Sequence, residues 1–222
     1  MKKVLVLVAL FIVPIVAYLF FASGVNAFIK LPIVTENVAE LPSHWKGLNE
    51  EQLQLENQIT ILGFTGTDIK KVEGDMTNLA HKIYDKNKGF VDFQVVYIAP
   101  KGTEDALREW SKELLRAANI DLSHWHFVMA DTDEIATFYN QLQLVGKLNE
   151  RFATPNVYII DKELNLRGRK GKNKRGEEEY REGYNTISAA DLHNEMADDV
   201  KVILAEYRLA LKKNNDDKNI TN

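Results

Sequence analysis

The chain of 222 residues contains no cysteine. That absence excludes a disulfide framework, thiol–disulfide exchange, a cysteine nucleophile, thiolate zinc sites, iron–sulfur clusters and a lipid-modified N-terminal cysteine. Positive charge is not in excess. With 28 Lys and Arg against 32 Asp and Glu the formal net charge is −4, which argues against nucleic acid as a partner. Familiar catalytic signatures are missing as well: there is no Gly-x-Ser-x-Gly elbow, no phosphate-binding glycine loop and no His-Glu-x-x-His. No internal repeat is visible. What remains, 45% hydrophobic and 27% charged residues, is the composition of an ordinary folded domain.

Only one apolar run is long. Met1-Lys2-Lys3 precedes Val4 to Ala22, which carries no charge. As a helix it would rise roughly 28 Å, close to the hydrocarbon thickness of a bilayer. This length favours an uncleaved transmembrane anchor, residues 1–27, over a secretory signal. Val25-Asn26-Ala27 is nevertheless an acceptable cleavage site, so a cleaved signal stays open. In either case the lysines stay cytoplasmic and the rest is exported, on the periplasmic side in a Gram-negative cell.

Residues 28–55 read as a lead-in or linker, with one short strand over Ile29–Val34 and a helical turn after Leu48. A domain is expected over 56–213 and a disordered polar tail over 214–222. Within the domain, compact β-branched runs alternate with helical periodicity. Strands are expected at Ile59–Thr65, Asp92–Ala99, Trp125–Ala130, Asn156–Asp161 and Leu164–Arg169. Helices are expected at Asp68–Lys86, Thr103–Ala118 and Thr132–Leu144, with a last one from Ser188 to about Lys212. This β-α-β-α-β-α-β-β-α order describes an α/β protein with a mixed sheet flanked by helices, as in an elaborated thioredoxin-like fold. Such folds place a cis-proline at the lip of a strand facing the first strand–helix turn. Pro155, in Ala153-Thr154-Pro155, is the candidate; a proline that merely starts a strand is the alternative.

Leu55 to Lys71 (LENQITILGFTGTDIKK) resembles the first core strand and loop of the Sco/SenC family of membrane-anchored, thioredoxin-like copper chaperones. That family reads Gly-Tyr-Thr-x-Cys-Pro-x-x-Cys-Pro, where this chain has Gly63-Phe64-Thr65 and then Gly66-Thr67-Asp68-Ile69-Lys70-Lys71. The resemblance puts Gly66 and Lys70 at the two cysteine ligands. Matching Tyr158-Ile159-Ile160-Asp161 puts Ala153 at the histidine ligand. The resemblance extends to the anchor, the hairpin Asp161 to Gly168 and the final helix. All three copper ligands are therefore replaced by residues that offer Cu(I) nothing equivalent to a thiolate.

Other sites can be sought. Of His44, His81, His124, His126 and His193, only His124 and His126 have useful spacing, since i and i+2 on a strand share a face. Asp131 and Asp133 could add oxygen ligands; the plainer reading is a turn into a strand with Trp125 in the core. Asp191, His193 and Glu195 are better explained as the charged start of a helix. Thr67 or Asp68 could stand at an anion or nucleophile site, but reads more simply as a helix cap. Arg167, Arg169, Lys170, Lys172, Lys174 and Arg175 form a basic run ahead of Glu177-Glu178-Glu179. It reads as a solvated hairpin or as a docking loop for an acidic partner or anionic lipid, partner protein being the better fit.

The expectation is a non-enzymatic, membrane-tethered thioredoxin-like protein without a cofactor. It would assist assembly or stability of a membrane complex, by the resemblance a respiratory oxidase. The alternative is a copper carrier or sensor whose site has moved to His124 and His126.

Overall fold

The computed structural model describes residues 10–18, 30–172 and 175–220, with side chains as far as Arg208. The first strands and helices are β1 (Ile33–Thr35), β2 (Lys46–Gly47), β3 (Ile59–Thr65), α1 (Ile69–Leu79), β4 (Phe93–Pro100), α2 (Glu104–Ala118), β5 (Trp125–Ala130) and α3 (Thr132–Gln141). After them come β6 (Ala153–Ile160), β7 (Leu166–Arg167), β8 (Arg169–Lys172), β9 (Glu178–Arg181) and β10 (Tyr184–Asn185). α1 runs on through a π-helical turn, Ala80–Tyr84, to Asn87. The closing helix starts as α4 (Ala189–Asp191), passes through a π-helical turn, Leu192–Met196, and ends as α5 (Ala197–Ile220).

Among the described residues the main sheet runs β1-β7-β6-β3-β4-β5-β2, with β10 also on β6. β3, β4 and β5 are parallel, and β6 returns antiparallel on β3. β3 and β4 are buried along their whole length because both sheet faces are covered. Successive side chains point to opposite faces. Ile59, Ile61, Val95, Tyr97, Trp125, Phe127, Val157 and Ile159 therefore face one layer, formed by α1, α2 and the closing helix. Leu62, Phe64, Val96, Ile98, Val128, Tyr158 and Ile160 face the other, formed by α3 and residues 38–55. Gly63 is required where Tyr97 crosses it, since a Cβ there would run into the Tyr97 ring. Tyr97 in turn stacks on Trp125 with ring centroids 5.4 Å apart.

Four expectations change. Residues 28–55 are not a linker: from residue 30 the segment belongs to the domain. Val38, Leu41, Trp45 and Leu55 are buried on a sheet face that α3 alone leaves uncovered. The segment is also held by backbone pairing, β1 to β7 and β2 to β5, and by Glu40, whose carboxylate accepts from the amides of Leu41, Leu55 and Glu56. The residues after Leu48 form a turn and not a helix. The strand expected over Leu164–Arg169 shortens to Leu166–Arg167, because Asp161 holds a turn by accepting from the amides of Glu163 and Asn165. The tail also changes, being helical to Ile220. Extending an existing helix needs no new nucleus.

Residues 10–18 are helical, and Leu10, Phe11, Ile12, Val13, Ile15 and Val16 are all exposed. The remainder of the expected anchor, residues 1–27, lies outside the described residues. Among the described residues no helix is long and apolar enough to cross a membrane.

Candidate functional site

The three positions aligned with the copper ligands lie where β3 turns into α1 and where β6 begins. β3 pairs with β6 so that Thr65 opposes Ala153. The chain then turns through Gly66 at φ +68°, a left-handed conformation suited to glycine. Thr67 N–H donates to the Arg151 carbonyl at 2.9 Å. That carbonyl belongs to a turn pinned by Asn149, whose side-chain oxygen accepts from the amides of Arg151 (2.8 Å) and Ala153 (3.1 Å). Gly66 is left with no room. A Cβ built on it would run into the Arg151 carbonyl oxygen and lie 2.7 Å from the Ala153 Cβ.

The structure thus brings Gly66 and Ala153 together, while Lys70 is exposed in the first turn of α1. No titratable or nucleophilic side chain stands at either of the two joined positions. Asp68 sits at the helix N-cap position, but neither it nor Thr67 caps through its side chain. Asp68 instead pairs with Arg151 at 3.5 Å, because the close approach of the 149–153 turn offers it a cation.

Pro155 is not cis; no cis peptide bond occurs among the described residues. It lies inside β6, not in a turn, and its carbonyl accepts from both the amide (2.9 Å) and the hydroxyl (2.7 Å) of Thr186. β6 pairs with β3 on either side of Pro155, and the register shifts between Thr154 and Tyr158.

His124 and His126 are both half-buried. Nδ1 of His126 lies 3.7 Å from Glu51 Oε1. Burial depresses the His126 pKa, and the opposing pull of Glu51 does not reverse it. Asp131 and Asp133 are not near this pair. They lie past the other end of β5, about five residues or roughly 16 Å along an extended strand. Asp131 pairs there with Lys101 at 2.8 Å. Among the described residues no group of three His, Cys, Asp or Glu could hold a metal ion. Trp125 is in the core as expected, 5% exposed, between Tyr84, Tyr97 and Trp110.

The basic run does not converge on one surface. Arg167 is 4% exposed and bonds Asp161 and Glu206, each at 2.8 Å, and the Leu31 carbonyl. Arg169 bonds Asp199, Glu179 and Glu195. Arg167 is a buried strut and Arg169 a half-buried one, their acids coming from the closing helix, from the turn after β6 and from β9. Lys170, Lys172 and Arg175 are exposed on or beside the β8–β9 hairpin, and Lys174 lies outside the described residues. Asp191 and Glu195 are likewise ion-paired, to Arg181 and Arg169, and His193 is exposed.

Sequence reasoning missed a buried polar group beside the start of β6. The Tyr139 and Tyr158 hydroxyls meet at 2.9 Å, and burial pushes the pKa of both phenols up. Glu182, 8% exposed, accepts from the amides of Val145 and Gly146 and from the Tyr180 hydroxyl. No local signal marks Glu182, which lies in a charged stretch where every neighbour looks solvated.

The sheet order, the antiparallel return of β6 and the helices on both faces decide the architecture when set beside solved structures. The fold is thioredoxin-like. BsSco, a member of the Sco family of cytochrome c oxidase assembly proteins in which a disulfide switch was identified, matches with a TM-score of 0.53. That match covers 78% of this chain and 95% of BsSco at 16% identity. A candidate protein disulfide isomerase from Bacteroides thetaiotaomicron matches with a TM-score of 0.50 and 12% identity, over 80% of this chain and 95% of that one. No protein-family model matches the sequence, and no curated protein does. The thioredoxin-like fold is present here without any cysteine.

Proposed function

We propose that this protein is a non-catalytic, membrane-tethered scaffold that assists assembly or stability of a membrane complex, a respiratory oxidase in the first instance. The observation that carries the reading is the closure of Gly66 against Ala153 and the Arg151 carbonyl in a chain without cysteine. Thiol exchange and thiolate-held copper have no atoms to work with there. A thioredoxin-like fold with glycine and alanine at these positions supports a binding role over the chemistry of the fold's cysteine-bearing members.

Tethering is supported by Val4 to Ala22 and by the apolar helix at residues 10–18, whose side chains find no place in the domain core. In this reading the N-terminus is cytoplasmic and the globular domain exported, and the partner is another protein of the same membrane. The oxidase comes from likeness to BsSco alone.

Deleting the gene and measuring assembled haem–copper oxidase in the membranes tests the reading. Loss of assembled enzyme, restored by the cysteine-less wild type, supports it. An unchanged oxidase level contradicts the oxidase assignment. Release of the protein from membranes by alkaline carbonate contradicts the tether.

A further inference from the structure

Glu182 is a buried carboxylate that meets no cation among the described residues. It lies just beyond β9, and among the described residues no Lys, Arg or His side chain pairs with it; its neighbour Arg181 turns to Asp191 at 2.6 Å. An ionised carboxylate can accept about four hydrogen bonds. Oε2 accepts two, from the Val145 amide (2.8 Å) and the Tyr180 hydroxyl (2.9 Å). Oε1 accepts one, from the Gly146 amide at 2.7 Å, and keeps a free position. The nearby phenols of Tyr139 and Tyr158 are engaged with each other.

Residue 146, beside Oε1, is glycine. A Cβ there would stand 3.2 Å from Oε1 and 3.4 Å from the Tyr139 hydroxyl, crowding whatever came in. Glu182 and Gly146 line an open cleft of about 390 Å³, whose walls also include Asn156, Tyr180, Asn185 and the Arg181–Asp191 ion pair, which leaves Glu182 as the uncompensated charge. Two exposed residues with apolar surface line the cleft, Val145 (75% exposed) and Tyr180 (51%), and Ile187 (61%) stands two residues beyond Asn185.

A single unpaired carboxylate does not suit a divalent ion, which takes several oxygen ligands. An ammonium or guanidinium suits it well. The charge-assisted hydrogen bond to Oε1 is of the stronger kind, and the exposed Tyr180 ring offers a face on which a cation can lie. Aliphatic neighbours at the rim suit apolar residues on either side of that cation.

The geometry points to this cleft as a docking site for a basic side chain carried on an extended, apolar-flanked segment of a partner protein. The inference goes beyond the scaffold reading and does not depend on which complex the partner belongs to. The test uses the chain by itself, so that its failure and the failure of the oxidase assignment are separate results.

The full-length chain in neutral detergent is titrated with acetyl-Leu-Arg-Leu-amide and with the same peptide carrying citrulline, which keeps the shape and removes the charge. The amide resonances of Val145 and Gly146 are followed. The expected result is a saturable shift with the arginine peptide and affinity lower by about tenfold or more with citrulline. Glu182→Gln should weaken binding of the arginine peptide similarly. Gly146→Ala, which leaves the carboxylate in place, should do so by blocking Oε1, and keeps the test valid should Glu182→Gln fail to fold. Equal response to both peptides, a shift that does not saturate, or wild-type affinity in Gly146→Ala would overturn the inference.

Discussion

Gly66 and Ala153 are packed so closely that a methyl group on the first would lie 2.7 Å from the methyl group of the second. These are two of the three positions that the Sco/SenC resemblance assigns to copper ligands. Their contact leaves no room for a side chain at Gly66, the space being filled by the Arg151 carbonyl and the Ala153 methyl group. Gly66→Ala should therefore cost about 2–5 kcal/mol, adding a steric clash to a left-handed conformation. Gly102 supplies the control: its φ is +93° but its surroundings are open, so Gly102→Ala should cost only the conformational part, about 1–2 kcal/mol. Urea midpoints of the two variants measure the difference, and equal losses would mean that the turn relaxes.

The N-terminal boundary of the domain gives a second prediction. A chain beginning at residue 56 lacks Val38, Leu41, Trp45 and Leu55 and both strands, β1 and β2, that close the sheet edges. It should aggregate or lose its cooperative urea transition, while a chain beginning at residue 30 should unfold cooperatively. Equal midpoints for the two would return residues 30–55 to the status of a linker.

Much of the fold is legible in the sequence because its signals are local. β3 and β5 fall where their β-branched and aromatic runs lie, and Gly66 and Ala153 could be matched from short motifs at their own strand ends. The segment 38–55 is not legible in this way. Its buried residues Val38, Leu41, Trp45, Leu48 and Leu55 fall at helical spacing, yet Pro42 and Gly47 interrupt the run and no helix forms, and their burial depends on how much of a sheet face α3 leaves bare. Arg167 and Arg169 mislead for a related reason. They sit in a basic run that looks solvated, while their acids, Asp161, Glu206 and Asp199, are brought to them by the fold. Glu182 is hidden likewise, since the amides that bind it come from residues 145 and 146.

A third prediction concerns pH. Burial lowers the His126 pKa in the folded chain. The unfolded chain then takes up a proton near pH 6.5, where the folded one resists, so stability falls as the pH drops through that value and levels off below the folded pKa. Replacing His126 by Asn should flatten the change in urea midpoint between about pH 7.5 and about pH 5.5. A wild-type midpoint that rises on acidification through this range, with no such rise in the variant, would mean that Glu51 outweighs burial.

The most direct test of the central claim is a Cu(I) and Cu(II) titration of the full-length chain against a chromogenic chelator, with a His124→Ala/His126→Ala variant alongside. The account predicts that neither protein withdraws a stoichiometric amount of copper from the chelator. One equivalent held by the wild type and lost by the variant would contradict it, and would make the protein a metal carrier with a relocated site.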